Sequence, residues 1–145
     1  MHFRLLGADE PKDTKAHRVA SKRHFPGTDW YRHVLTTLLD SAKSTYLLFA
    51  DNTAKLKEMI AQLHLKHVTI IEEDFVSSML LMSLCKHHVG TVSTFSFWGA
   101  YLDKKQPYGG KTIFPPSFNA FHGGATWPYT EWLSIEEPRN VVVNA

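Results

Sequence analysis

The sequence predicts an α/β domain built on a Rossmann-like parallel sheet with crossover helices. Short apolar runs typical of buried strands alternate with amphipathic segments of helical length. Parallel neighbours in a sheet need a long connection, so this alternation favours a parallel sheet over hairpins. Polar residues follow the apolar runs in "FADN", "IIEED" and "TVST". In open sheets of this kind, ligands bind where the carboxyl ends of strands meet the amino ends of helices.

The composition is that of one globular domain. The chain has 145 residues, of which 43% are hydrophobic and 21% are charged. The single cysteine excludes an internal disulfide, and the formal net charge of +2 is too small to indicate a nucleic-acid partner. No apolar run reaches the roughly 18 residues of a membrane span. The amino-terminal stretch also lacks the layout of a signal peptide, so no membrane contact of this chain is predicted.

The first half of the chain predicts two strand–helix units after a polar loop at residues 8–28. A helix over "DWYRHVLTTLLDSAK" follows the loop, with Thr28 or Asp29 as its cap. The run "TYLLFADN" predicts a buried strand, because it is short, apolar and closed by turn-forming residues. Asn52 or Thr53 then caps a helix over "TAKLKEMIAQLHL".

The second half continues the alternation. The strands are predicted at "HVTII", "HVGTVS" and "KTIFP", and the helices at "EDFVSSMLLMSLCKH" and "TFSFWGAYLDK". In the last helix the spacing of Phe95, Trp98 and Leu102 predicts that these side chains are buried against the sheet. Cys85 is expected to be a small buried side chain. The tail from Phe118 onward predicts an irregular extension.

Ser93 and Thr94 stand between the strand "HVGTVS" and the helix that follows it. At that position the unpaired backbone N–H groups and the positive end of the helix dipole can hold a phosphate, and two hydroxyl groups add donors. Serine and threonine are also favoured helix caps, so a purely structural role stays open for both residues.

Polar side chains at two other strand ends are further candidates. His2 and Arg4 lie on the same side of a strand, and an arginine there suits a bidentate grip on a diphosphate. A solvated arginine near a terminus is the alternative. Asp74 either caps the next helix or accepts hydrogen bonds from a nucleoside, with Glu72 and Glu73 as competitors for both roles.

A metal site is not predicted. His64 and His67 lie one helical turn apart, and His87 and His88 are adjacent. Neither pair comes with the cysteine or carboxylate partners that a closed zinc site requires. The chain also has no nucleophile elbow and no GxxxxGK phosphate loop, which removes the main support for a hydrolase or a P-loop enzyme.

Several of these segments together resemble one family. "DFVSSMLLMSLCKHHVGTVSTFSFWGAYL" resembles the signature of the family 11 glycosyltransferases, the α-1,2-fucosyltransferases. "YLLFADNTAKLKEMI" is similar to a strand and helix of that family, and "KTIFPPSF" to its proline-ended strand. The resemblance divides the chain into an amino-terminal remnant at 1–28, a Rossmann-like GDP-fucose-binding domain at 29–118 and a carboxyl-terminal extension at 119–145.

The resemblance implies the donor-binding half of an enzyme of the GT-B type. Such an enzyme transfers fucose from GDP-fucose, with inversion, to the 2-hydroxyl of a galactose-type glycan, and it needs no bound metal or other cofactor. Ser93, Thr94 and Phe95 would then contact the β-phosphate and the fucose, and Asp74 the nucleoside. Animal relatives work in the Golgi lumen on a membrane anchor, so a Golgi location is implied.

The amino-terminal match to the family is degraded. The family motif HxRRxD corresponds to "HFRLLGAD", in which His2 and Arg4 match, Leu5 replaces the second arginine and Asp9 follows an added residue. The resemblance implies that His2 and Arg4 contact the donor and that Arg4 stabilises the leaving diphosphate. Asp9 is the candidate catalytic base. Ser78 stands where members commonly have aspartate.

The amino-terminal half of such enzymes has no counterpart here, so a fragment, a truncated gene model or a degenerate paralogue is expected. Two alternatives to an active transferase stay open. A non-catalytic nucleotide-sugar-binding module would bind GDP without turning over a donor. A structural or interaction domain that retains only the fold would show no saturable nucleotide binding.

Overall fold

A computed structural model describes residues 1–5, 25–39, 43–91, 93–103, 110–115 and 140–142. Strands and helices alternate over these residues, as predicted. The strands are β1 (His2–Phe3), β2 (Tyr46–Ala50), β3 (Val68–Ile70), β4 (His88–Val89), β5 (Thr112–Phe114) and β6 (Asn140–Val142). The helices are α1 (Thr28–Thr37), α2 (Thr53–Leu63), α3 (Phe75–Ser83) and α4 (Thr94–Leu102).

The strands form two three-stranded parallel ladders, in the orders β1-β2-β3 and β4-β5-β6. Phe3 of β1, Val89 of β4 and Ile113 of β5 belong to one buried core. His2 and Val89 also line the same small internal cavity. The two ladders therefore share one core, and their parallel strands with intervening helices are consistent with a Rossmann-like fold. The predicted fold class is confirmed.

Helix α1 begins at Thr28, so neither of the two predicted caps, Thr28 and Asp29, occupies the cap position. Its amino-terminal cap position is Gly27, whose φ of 97° lies in the region that favours glycine. The hydroxyl of Thr28 instead donates to Gln62 Oε1 of α2 at 3.2 Å. The helix ends at Thr37, ahead of its predicted end, where the hydroxyl of Thr36 donates back to the carbonyl of Arg32 at 2.9 Å and competes with helix propagation.

Helix α2 follows the pattern that its sequence predicts. The Asn52 side chain accepts a hydrogen bond from the Lys55 N–H at 3.0 Å, which confirms the predicted cap. The buried side chains Leu56, Met59 and Leu63 recur at helical spacing and face the core. Burial of this apolar stripe holds α2 against the first ladder.

The predicted inner face of α4 is wrong. Phe97 and Ala100 are buried, whereas Phe95 is half-buried and the side chains of Trp98 and Leu102 are 40% and 47% exposed. The close packing of α4 on α3 selects this orientation. A Cβ atom at Gly99 would lie 2.6 Å from Met82 Sδ, so only glycine permits the approach.

Helix α3 also exposes apolar side chains. Leu84, just after its end, is 69% exposed, and Cys85 is half-buried rather than fully buried as expected. The Cys85 thiol donates to the Leu81 carbonyl at 3.4 Å, and burial raises the pKa of the thiol. Cys85 therefore makes a structural contact with the last turn of α3.

The expectation of a wholly irregular tail is wrong at residues 140–142. These residues form β6, which pairs in parallel with β5, with Thr112 opposite Asn140 and Phe114 opposite Val142. The run "NVVV" is rich in β-branched residues but too short to predict a strand without knowledge of its neighbour. The pairing is long-range, so only the folded sheet supplies that neighbour.

Candidate functional site

A cavity of about 470 Å³ opens at the carboxyl ends of β1, β2 and β3, where α4 begins. In open parallel sheets, this carboxyl edge is the place where ligands bind. The residues that line the cavity are His2, Arg4, Phe49, Ala50, Asp51, Thr53, Ile71, Glu72, Glu73, Phe75, Ser78, Ser93 and Phe95. Four predicted site residues, His2, Arg4, Ser93 and Phe95, are among them.

Arg4 is held at the cavity by Asp51, which directly follows the neighbouring strand β2. Its Nε lies 3.3 Å from Asp51 Oδ2, and Asp51 Oδ1 accepts the backbone N–H of Leu5 at 2.7 Å. Lys55 Nζ donates to the Leu5 carbonyl at 3.3 Å. Asp51 therefore orients the side chain of Arg4 through Nε and fixes the backbone beside it. The terminal amino groups of the guanidinium are the edge that can grip an anion.

The amino end of α4 opens into the same cavity. Ser93 occupies the cap position in an extended conformation, with φ −153° and ψ 133°, but its hydroxyl makes no capping hydrogen bond. The first intrahelical bond runs from the Phe97 N–H to the Ser93 carbonyl at 3.1 Å. The N–H groups before Phe97 have no acceptor within the helix, and they carry the positive end of its dipole. Thr94 is exposed, and its side chain does not line the cavity.

His2 forms a buried wall of the cavity. Its Nδ1 lies 2.5 Å from Ser96 Oγ, and its ring meets the Phe95 ring edge-on with the ring centres 5.3 Å apart. Burial, together with the positive charges of the amino terminus and Arg4, lowers the pKa of His2 to about 3. The imidazole is therefore neutral at physiological pH.

Asp74 caps α3 and does not line the cavity. Its Oδ1 accepts the N–H groups of Val76 at 2.8 Å and Ser77 at 3.1 Å, and its Oδ2 accepts the Ser77 hydroxyl at 2.6 Å. The Ser77 hydroxyl and these backbone N–H groups lower the pKa of the Asp74 carboxyl. Of the two roles considered for Asp74, the structure shows the cap.

An acidic edge formed by Glu72 and Glu73 lines the cavity at the end of β3. Glu72 Oε1 accepts the Thr53 hydroxyl at 3.1 Å. Ser78 is buried beside them, and its hydroxyl donates to the Glu73 carbonyl at 3.2 Å. The residue that departs from the family pattern therefore lies inside the cavity.

Sequence reasoning missed Asp51, Thr53 and Phe75 as cavity residues. Asp51 directly follows β2, and this position after a strand was the available signal. Phe75 stacks in a tilted arrangement on Phe95, with ring centres 4.8 Å apart. Asp9 lies outside the described residues, so its predicted role has no structural counterpart here.

A second cavity of about 500 Å³ lies on the other side of Arg4. Its remaining lining comes from residues 25–28 before and at the start of α1, from Leu5, and from Lys55, Glu58, Met59 and Gln62 of α2. Although slightly larger, this cavity does not reach β4 or α4. It contains the end of β1 and the amino end of α1, but no residue that directly follows β2 or β3.

Within the ranges between residue 1 and residue 142 that the structure describes, no helix is long and apolar enough to cross a membrane. In the same part of the chain, no three or more His, Cys, Asp or Glu side chains cluster in a way that could hold a metal ion.

The parallel ladders with their intervening helices, and the cavity at the strand ends, are those of a Rossmann-like domain. The family model for glycosyl transferase family 11 matches residues 32–120, which is more than half of the chain. The chain therefore belongs to glycosyl transferase family 11, as its motifs predicted. No curated protein and no solved structure gave a match.

Family membership makes the chain a fucosyltransferase-like glycosyltransferase. Enzymes of this class act on a nucleotide-sugar donor and a glycan acceptor. The matched range contains α2, α3, α4 and the strands between them, and it includes Ser93 and Phe95. His2 and Arg4 precede the matched range, and the fold brings them to the same cavity.

Proposed function

We propose that the cavity binds GDP-fucose and that the chain is the donor-binding part of a galactoside α-1,2-fucosyltransferase. Such an enzyme transfers fucose, with inversion, to the 2-hydroxyl of a galactose-type glycan. One observation carries the proposal. Arg4, the buried His2 and the amino end of α4 converge on one cavity at the carboxyl ends of β1, β2 and β3.

The size and charge of the cavity suit a sugar nucleotide. Its volume of about 470 Å³ falls within the range of small-molecule sites, roughly 300–1,000 Å³. The diphosphate would lie between Arg4 and the first turn of α4, where it accepts hydrogen bonds from the guanidinium and from the N–H groups of Thr94 and Phe95. The Ser93 hydroxyl, which makes no capping bond, adds a donor there.

The nucleoside would lie against the acidic edge at Glu72 and Glu73. A carboxylate can accept the two adjacent N–H donors on one edge of guanine, and it can also accept ribose hydroxyls. Asp74 was expected in this role, but its oxygens already accept three hydrogen bonds within its own helix cap. Glu72 and Glu73 line the cavity, so the nucleoside contact is reassigned to them.

The proposed chemistry depends on stabilising the leaving group. As the bond from fucose to the β-phosphate breaks, negative charge develops on the diphosphate, and the anomeric carbon becomes electron-deficient. Arg4 and the N–H groups at the start of α4 would stabilise that charge more strongly in the transition state than in the bound donor. Removing one such donor is expected to lower the rate by about 10²-fold.

Three parts of the proposal rest on the family alone. Asp9 remains the candidate base for the acceptor hydroxyl, and metal-independent transfer remains a prediction. A Golgi location is likewise supported by family membership alone. Transfer that survives chelation of divalent metals by EDTA would support the second point, and loss of activity in EDTA would contradict it.

The test is calorimetric titration of the full chain with GDP-fucose, GDP and UDP-galactose, followed by a transfer assay on a β-galactoside. Saturable binding of both guanine nucleotides, with much weaker binding of UDP-galactose, is expected. Ser93→Ala should weaken GDP binding, whereas the matched control Thr94→Ala should not, because the Thr94 side chain lies off the cavity. Equal binding by Ser93→Ala and the unmodified chain would contradict the site.

The transfer assay separates the functional alternatives. Formation of a fucosylated galactoside supports the transferase. GDP binding without transfer under the same conditions favours a non-catalytic nucleotide-sugar-binding module. Absence of saturable nucleotide binding favours a domain that retains only the fold.

A further inference from the structure

We propose that Ser96 is a positioning residue that holds the imidazole of His2 in one tautomer, with the proton on Nε2. In this form His2 offers an uncharged N–H donor to the cavity. The assignment of that donor to a phosphate oxygen rests on the proposed function. The tautomer itself follows from contacts within the chain.

The Ser96 hydroxyl joins two buried groups from different elements. Its Oγ accepts the backbone N–H of Thr91 at 3.2 Å, and it lies 2.5 Å from His2 Nδ1. Because Oγ already accepts from Thr91, the hydroxyl hydrogen can be donated to Nδ1. With the hydroxyl as the donor in this short contact, Nδ1 is the unprotonated nitrogen of the ring.

A second proton on His2 is disfavoured by its surroundings. The residue is 7% exposed, and Arg4 follows two residues later in the chain. A neutral imidazole carries a single N–H. When Nδ1 accepts from Ser96, that N–H is on Nε2.

The ring is also fixed in orientation. Phe95 packs edge-on against it, and the Tyr31 hydroxyl donates to the His2 carbonyl at 3.4 Å. Turning the ring over would break the contact with Ser96 and place a different edge against Phe95. The tautomer and the orientation are therefore set together before any ligand binds.

This arrangement gives the site a neutral donor next to a cationic one. A charged imidazole beside Arg4 would be repelled, and its burial would carry a large desolvation cost. A neutral Nε2–H avoids both costs and still donates a hydrogen bond to an anionic oxygen. Ser96 acts only through His2 and contacts no ligand.

Removing the hydroxyl should therefore change the tautomer. In Ser96→Ala, Nδ1 loses its donor, and molecules with the proton on Nδ1 become populated. Those molecules would present a lone pair on Nε2 to the phosphate oxygens. GDP binding should weaken about 3- to 10-fold, which is the loss expected for one modest hydrogen bond. Ser96→Thr keeps the hydroxyl, so it should keep the proton on Nε2 of His2 and the GDP affinity of the unmodified chain.

The first experiment reads the tautomer without nucleotide. The full chain is labelled with ¹⁵N-histidine, long-range ¹H–¹⁵N correlations are recorded near pH 7, and the His2 signals are identified by their loss in His2→Gln. The Nε2–H form is expected in the unmodified chain and in Ser96→Thr, with a shift towards Nδ1–H in Ser96→Ala. An Nδ1–H form in the unmodified chain, or an unchanged tautomer in Ser96→Ala, would overturn the inference.

The second experiment measures GDP affinity by calorimetry. His2→Gln can place an amide N–H near the Nε2 position and should bind GDP better than His2→Asn, whose amide mimics Nδ1. GDP affinity that is equal in Ser96→Ala and the unmodified chain would overturn the role in donor binding. If the unmodified chain binds no GDP while its spectrum shows Nε2–H, the proposed function fails and the tautomer assignment is supported. Melting curves of all variants verify that they fold.

Discussion

The two ladders of the molecule carry helices of different character. In the first half, α2 buries the apolar stripe of Leu56, Met59 and Leu63 and turns its polar side chains outward. In the second half, α3 and α4 lie against each other and leave many large apolar side chains exposed. These are Phe75, Val76, Leu80, Leu84, Trp98, Tyr101 and Leu102. In α2, the division between apolar and polar faces determines which side of the helix is buried. In α3 and α4, the close packing of the two helices determines it.

This difference shows when hydrophobic spacing can predict the buried face of a helix. A helix with two chemically distinct faces has one favourable orientation, and hydrophobic spacing reveals it. A helix that is apolar on most sides has several favourable orientations, and small residues at its contact with a neighbouring helix decide between them. Gly99 against Met82 is that contact for α4. The cavity at the carboxyl ends of β1, β2 and β3 is lined by residues from both halves.

The strongest test of the comparison replaces two adjacent aromatic residues of α4. Phe97 is 2% exposed and Trp98 is 40% exposed. Phe97→Ala should lower the free energy of unfolding by about 3–5 kcal/mol, because it leaves a cavity in the core. Trp98→Ala should cost less than half as much. Urea unfolding measures both, and a Trp98 variant that is as destabilised as the Phe97 variant would restore the inner face predicted from spacing.

The next test asks whether the first half contributes to the site through Arg4. Arg4→Ala should weaken GDP-fucose binding about 10- to 100-fold, because it removes charge-assisted hydrogen bonds to the diphosphate. Arg32→Ala is the matched control, because Arg32 pairs with the exposed Asp29 away from this cavity. Calorimetric titration compares the two variants. Equal affinities for Arg4→Ala and Arg32→Ala would remove Arg4 from the site.

The buried His2 predicts a pH dependence of stability. Its pKa is about 3 in the folded chain, against an ordinary value of 6.5. Between these values the unfolded chain binds a proton that the folded chain does not, so stability rises with pH over this window. The contribution is up to about 1.4 kcal/mol per pH unit. In urea unfolding at a series of pH values, His2→Gln should flatten the slope, and an unchanged slope would contradict a neutral buried imidazole.

The smallest effects concern the helix caps. Asn52→Ala should lower the free energy of unfolding by about 1 kcal/mol. Asp74→Ala should lower the melting temperature at neutral pH, since the cap is present above the ordinary pKa of 3.8 and is lost as pH falls through the lower folded value. GDP affinity should stay unchanged in Asp74→Ala and fall in Glu73→Gln. A fall in GDP affinity in Asp74→Ala, with no change in Glu73→Gln, would instead support a contact between Asp74 and the nucleoside.

Local signals explain what the sequence could predict. The alternation of strands and helices predicted the fold, and the cap residue of α2 was recognisable because capping depends on near neighbours in the chain. The position of Ser93 and Arg4 at the cavity could be predicted because both residues follow strands, and such positions lie at the carboxyl edge of a parallel sheet. Family membership confirmed the resemblance that the motif around Ser93 carried.

Other features depend on contacts between distant parts of the chain. Asp51 accepts from the Leu5 N–H across 46 positions, and Ser96 reaches His2 across 94. No local pattern encodes such pairs. The strand β6 was missed for the same reason, because its partner β5 lies far away in the sequence. The inner face of α4 was missed because apolar spacing carries no information when most sides of a helix are apolar.

The most direct test follows the backbone amides of a ¹⁵N-labelled chain while GDP is added, with guanosine as the comparator. We expect the Thr94 and Phe95 amides to shift saturably with GDP and much less with guanosine, because these N–H groups would bind the diphosphate. Shifts confined to the second cavity, at residues 25–28 and along the Lys55–Gln62 stretch of α2, would contradict this expectation.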